Sequence, residues 1–90
     1  MTVGFRQQFE KDLHQLKDHV LKKRILKAIH QAEQAPTLTD LSNLRKLSGY
    51  ETYYRIHVGD YRLGLKWDSD ENTLYFVTFA HRKDIYQDFP

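Results

Sequence analysis

Apolar residues recur at helical spacing in the first third of the chain and alternate with polar ones in the rest. Phe9, Leu13 and Leu16 lie at i, i+4 and i+7 and predict a helix from Gln8 to about Leu16. Leu21, Ile25, Ala28/Ile29 and Ala32, flanked by Leu26, predict a second helix from about His19 to Glu33. Asp18 stands where an N-cap belongs. Ala35-Pro36 stops the run, because the residue before proline avoids the helical region. Ahead of both helices, Val3 and Phe5 fit a short strand over Thr2 to Arg6, interrupted by Gly4. Leu38, Leu41, Leu44 and Leu47 mark a connector pinned to the core.

The stretch Leu47 to Lys66 organises the remainder. It reads as two period-two strands around a tight turn at Gly59-Asp60. On the first strand Tyr54, Ile56 and Val58 share one face, and Tyr53, Arg55 and His57 the other. On the second, Tyr61, Leu63, Leu65 and Trp67 form the apolar face, with Arg62, Gly64 and Lys66 opposite. Arg55, His57, Arg62 and Lys66 therefore fall on one surface with no acid among them. Same-face neighbours along a strand are roughly 6–7 Å apart, a spacing suited to phosphates. A polar turn over 68–72 leads to a third strand, Thr73 to Ala80, and a polar tail in which Ile85, Tyr86 and Phe89 are possible anchors. This order predicts an α+β fold: two N-terminal helices on one face of a small antiparallel sheet, the other face open and basic.

Ninety residues predict one domain, 1–90, with one modest core. With no cysteine there is no disulfide and no thiolate site. The N-terminus has no apolar segment of the signal type and no stretch reaches the length of a membrane span, so a cytoplasmic, membrane-free protein is expected. Fourteen basic and twelve acidic residues give a net charge of only +2. The distribution is uneven: Lys17, Lys22, Lys23, Arg24 and Lys27 crowd the second helix, and the hairpin holds a second group. With a pI near 8.9, a polyanionic partner fits this pattern. The helix cluster reads equally as a solvated face or as a grip on RNA. His14, His19 and His30 lack metal-site spacing, and neither a metal nor a cofactor is expected.

Certain short motifs carry a resemblance. They are Leu47-Ser48-Gly49, Tyr54-Arg55-Ile56, Gly59-Asp60-Tyr61-Arg62-Leu63, and His81-Arg82 with Tyr86, preceded by a helix pair containing Phe9-Glu10-Lys11-Asp12-Leu13. Together they resemble the RelE/ParE superfamily of bacterial toxin–antitoxin toxins over essentially the whole chain. The resemblance implies a compact α+β toxin with a cognate, RelB-like antitoxin from an adjacent gene. In the RelE branch it implies an endoribonuclease that cuts mRNA on the ribosome without a metal, the 2′-hydroxyl attacking the neighbouring phosphate to leave a 2′,3′-cyclic phosphate.

That chemistry needs a base, cations around the phosphorane and an acid for the leaving oxygen. Arginine supplies charge but cannot be a base, so Arg55, Arg62 and Arg82 are expected on the phosphate. His57 and His81 are the candidate proton carriers, with Glu51 a weaker base candidate, and Tyr86 matches the family's C-terminal tyrosine that orients the nucleotide. Some members have a lysine-rich strand where this chain has Arg55 and His57. Lys46, Lys66, Lys22, Lys23, Arg24 and Lys27 are candidate contacts to RNA or the ribosome. The ParE branch offers a different function on the same fold, a gyrase poison without nuclease chemistry. A non-toxic relative that only binds an antitoxin is a third reading.

Overall fold

A computed structural model describes residues 1–90. The elements are β1 (Thr2–Phe5), α1 (Gln7–Gln15), α2 (His19–Gln34), β2 (Leu44–Lys46), β3 (Tyr53–Val58), β4 (Tyr61–Asp68), β5 (Thr73–His81) and α3 (Ile85–Asp88), with a 3-10 turn at Leu38–Asp40 between α2 and β2. Both long helices arise where the apolar spacing puts them. Asp18 caps α2 by accepting a hydrogen bond from the Leu21 N–H at 3.0 Å. Phe9 from α1 and Leu21, Ile25, Ala28, Ile29 and Ala32 from α2 are buried.

The five strands form one sheet in the order β1-β5-β4-β3-β2. It is mixed, not antiparallel as expected: β1 runs parallel to β5, pairing Thr2 with Thr73 and Phe5 with Phe76. The helix pair between β1 and the hairpin acts as the crossover that a parallel neighbour requires. Periodicity alone does not report strand direction, so this pairing was invisible in the pattern. A second difference lies in the leucine-rich connector. Leu44–Lys46 pairs with β3 as an edge strand, placing Leu44 opposite Ile56, Arg45 opposite Arg55 and Lys46 opposite Tyr54.

Under the helices Phe9, Ile25, Ile56, Leu63, Leu65, Leu74 and Phe76 are fully enclosed. Phe9 packs tilted on Phe76 with centroids 5.6 Å apart and edge-on to Phe79 at 5.5 Å. Phe76 and Phe79 can both face the helices because the β4–β5 ladder slips between Gly64 and Leu65. Gly64 pairs with Thr78 and Leu65 with Phe76, leaving Val77 as the extra residue of a bulge.

Val77 belongs instead to a small second core. Leu47, Ile85 and Phe89 are buried together, with Tyr53, Val77 and Ala80 against them. The tail therefore folds as the helical turn α3 and lies on the sheet face expected to be open. Phe89 sits directly over Gly64, where a β-carbon would meet its ring at 2.9 Å. It also meets Tyr53 edge-on at 5.5 Å. Half of the basic face is thus covered and half remains free.

Candidate active site

The free half is built by three strands and the tail. Directly paired residues of antiparallel strands share a face, with Cβ atoms about 4.5–5.5 Å apart. Arg55 stands between Arg45 on β2 and Gly64 on β4, and His57 stands opposite Arg62. Four basic side chains are thereby placed side by side. None has a carboxylate partner, because the chain's single ion pair joins Lys46 to Glu51 at 3.6 Å.

Each guanidinium is held by neutral groups. Arg55 Nη1 donates to the Tyr86 hydroxyl at 2.5 Å. Arg55 Nε is buried without a partner. Arg62 Nη1 donates to the carbonyls of Gly59 and Tyr61, both at 2.9 Å. Arg45 Nη1 donates to the carbonyls of Ser42 at 2.6 Å and Leu44 at 3.1 Å. Carbonyls and a phenol orient the arginines without neutralising them, so the charge stays available to an anion. Beside Arg55 a pocket of about 350 Å³ is lined by Ser48, Tyr50, Arg55, Tyr86 and Phe89 among others.

His57 is the titratable group at the centre. Its pKa is lowered from 6.5, first by desolvation and then by the charges of Arg62, Arg55 and Arg45. The shift favours the neutral imidazole, which is exposed and able to take a proton, with three guanidinium groups near it. A neutral base among fixed cations can deprotonate a hydroxyl next to a phosphate and stabilise the charge that develops there.

Residues 3–86 match the family model described as the ParE toxin of type II toxin–antitoxin systems, parDE. The chain belongs to this toxin family. A curated relative, Toxin RelE3 of Methanocaldococcus jannaschii, is 41% identical over the full length of both chains. The crystal structure of the RelB–RelE antitoxin–toxin complex from Methanococcus jannaschii contains a chain 39% identical, with a TM-score of 0.73 over 97% of this chain and 99% of that one. A chain of the archaeal RelE–RelB complex from Pyrococcus horikoshii, 23% identical, shares the fold with a TM-score of 0.69 over 90% of this chain and 93% of that one. These relatives are archaeal, so the bacterial label attached to the resemblance is too narrow.

The toxin brings together four of the six residues expected at the site. Arg55, His57 and Arg62 share the free face, and Tyr86 reaches it from α3. Arg82 is exposed just beyond β5, and its N–H donates to the Asp60 carbonyl at 2.8 Å, holding its backbone against the β3–β4 turn. His81 lies elsewhere. It pairs with Tyr61, on the helix-covered side of the sheet, and its ring meets that tyrosine edge-on at 5.6 Å. Its Nδ1 accepts the Lys83 N–H at 3.2 Å.

The other candidates separate in the same way. Glu51, paired with Lys46, is almost fully exposed. Lys66 stands opposite Tyr53 with its Nζ 5.7 Å from that ring, beyond the Phe89 cover. On α2, Lys22 lines an apolar groove with Phe5, Phe9 and Leu26, and Lys23 is exposed. Arg24 and Lys27 face a groove that includes His57. Arg45 was missed by the sequence reading because it sat in a connector. Its signal was alternation: Leu44, Arg45, Lys46 is a strand fragment too short to stand out. No three His, Asp or Glu side chains converge as a metal-binding group, and no helix is long and apolar enough to cross a membrane.

Proposed function

We propose that this toxin is an endoribonuclease that cuts mRNA on the ribosome. The observation that carries the reading is the placement of His57 opposite Arg62 and near Arg55 and Arg45, three guanidinium groups without a carboxylate partner. His57 takes the proton of a ribose 2′-hydroxyl. The 2′-oxygen bonds to the adjacent phosphorus, the bond to the 5′-oxygen breaks, and a 2′,3′-cyclic phosphate and a 5′-hydroxyl result. The arginines hold the dianionic phosphorane. Tyr86, whose oxygen accepts from Arg55, keeps its own O–H to donate to the departing 5′-oxygen. The pocket beside Arg55, with Tyr50 and Tyr86 in its wall, suits one stacked base. The chemistry uses side chains alone and no metal. Lys46, Lys66, Lys22 and Lys23 lie outside this group and are left to contacts with the ribosome.

The test is controlled expression with mapping of mRNA 5′ ends for the native toxin, Arg62→Ala and His57→Gln. Cuts inside translated codons that vanish in both variants support the reading. Cuts that persist in both overturn it. The match to a ParE family favours one other reading, a gyrase poison. Intact mRNA with double-strand DNA breaks on expression selects that reading. The solved complexes of relatives with RelB antitoxins support a cognate antitoxin for this chain, and this reading puts its gene next to the toxin's. Failure of the neighbouring product to bind or neutralise the toxin counts against that partner.

A further inference from the structure

β2 begins at Leu44, opposite Ile56, so on that edge β3 has no neighbouring strand beside His57 and Val58, which pair only with β4. A groove of about 240 Å³ opens at that gap, lined by Arg24, Lys27, Gln31, Asn43 and His57 among others. It contains two cations and two amides and no carboxylate. Arg24 and Lys27 are one helical turn apart on α2 and Gln31 is one turn further, so the three form a single strip. Neither cation has an acidic partner.

The groove is joined to the candidate active site through one residue. Gly59 turns the chain between β3 and β4 with φ +60°, and Arg24 Nη1 lies 2.8 Å from where its β-carbon would stand. On the other side of the same turn, Arg62 Nη1 donates to the Gly59 carbonyl. Two guanidinium groups thus meet one glycine, and His57 borders both surfaces. Basic side chains thus lie on both sides of the turn, Arg55 and Arg62 on one and Arg24 and Lys27 on the other, with Asp60 the one carboxylate in the turn itself. A solvated helix face would spread its charges over a convex surface. Here the cations converge with amides on a concavity that ends at the candidate base.

We propose that the RNA strand held at His57 continues across the Gly59 turn into this groove, where Arg24 and Lys27 bind its next phosphates and Gln31 and Asn43 its sugars or bases. The proposal rests on the endoribonuclease reading and extends it, making the substrate a single strand longer than the nucleotides at the cut. Phosphates supply the affinity and salt sensitivity of such a track, and the ribose 2′-oxygen, still an acceptor when methylated, offers the amide NH2 groups a partner.

The experiment measures binding of 2′-O-methyl RNA strands, which cannot be cleaved, by fluorescence anisotropy at several salt concentrations. Strand lengths run from about three to about twelve nucleotides, spanning the site sizes of ordinary single-strand grooves. The proteins are the native toxin, Arg24→Gln/Lys27→Gln, and the charge-preserving Arg24→Lys/Lys27→Arg. The native toxin should gain affinity with length. The glutamine pair should bind short strands normally and lose about tenfold on long ones. Its salt slope should fall by about 0.7 for each phosphate that is no longer neutralised, and the charge-preserving pair should restore both. A glutamine pair that keeps the gain with length and the slope overturns the track. So does one that binds long RNA normally but loses the ribosome, since the cations would then dock ribosomal RNA. Absence of any gain with length in the native toxin also overturns it, while 5′-end mapping decides the endoribonuclease reading separately.

Discussion

The guanidinium of Arg55 and the hydroxyl of Tyr86 are hydrogen-bonded across 31 positions of sequence, joining the middle of the sheet to the tail. This bond places an aromatic ring and a proton donor beside a cation that the strand alone presents. Tyr86→Phe keeps the ring and removes the bond. A hydrogen bond to a charged group contributes about 1.5–3 kcal/mol when sheltered. Tyr86 is half exposed, so its loss should cost less in stability, and melting should move little. Cleavage should fall well below that of the native toxin, and a Tyr86→Phe protein that cuts mRNA at the native rate removes Tyr86 from the proton path.

Gly64→Ala tests what holds the tail. The new methyl meets Phe89 at 2.9 Å, and Phe89 must leave its seat. Overpacking of this kind costs about 1–3 kcal/mol, which lowers Tm by several degrees in a domain of this size. Phe89→Ala vacates the same seat. Because both changes act on one contact, the double variant should be less destabilised than the two single costs combined. Additive Tm shifts would show that Phe89 does not depend on the absent side chain of Gly64.

The proton affinity of His57 is set by its neighbours. Arg45→Gln and Arg62→Gln each remove a charge that disfavours the imidazolium, so each should raise the His57 pKa towards 6.5. Titration of the ring resonances by NMR reads this directly. The sign follows for activity. A base with a depressed pKa loses its proton at lower pH than a free imidazole, so the acid limb of kcat/KM should have its midpoint below 6.5. In Arg45→Gln the decline should begin at higher pH. An acid limb that stays fixed in both variants, or a profile that rises as pH falls, would falsify the assignment of His57 as the base.

Stability depends on the aromatic stack beneath the helices. Phe9 is fully buried between Phe5, Phe76 and Phe79. Phe9→Ala opens a cavity that should cost about 3–5 kcal/mol, a large share of the stability of a small domain. Thermal or urea unfolding measures it. A loss below about 1 kcal/mol would mean that the core collapses into the space.

The helices, the hairpin and its turn were legible because apolar spacing is a local property: Phe9, Leu13, Ile25, Ile56 and Leu63 pack as their periods require. The cluster of Arg55, His57 and Arg62 followed from the same alternation. What was not legible depends on pairing across long distances. Nothing local to Val3 or Phe5 says that β1 lies parallel to β5. The bulge at Val77, which lets Phe76 and Phe79 share a side, appears only once the strands are in register. That His81 falls on the opposite side of the sheet from Arg55 was hidden for the same reason, since that slip decides which face the end of β5 presents. The tail read as polar because Ile85 and Phe89 are two apolar residues in a charged run, and the seat of Phe89, Gly64, shows its use only as an absence of side chain.

The pairing of β1 with β5 has a consequence for how the molecule comes into being. As the chain emerges from the ribosome, the first strand is made early and its neighbour late. Residues 2–5 cannot dock until residues 73–76 are available, and the ring of Tyr86 follows later still. Long-range pairing of this kind is slow to form. A nascent chain that stops short of residue 73 lacks both the closed sheet and the phenol beside Arg55, so the candidate active site is assembled only once β5 and Tyr86 have been made.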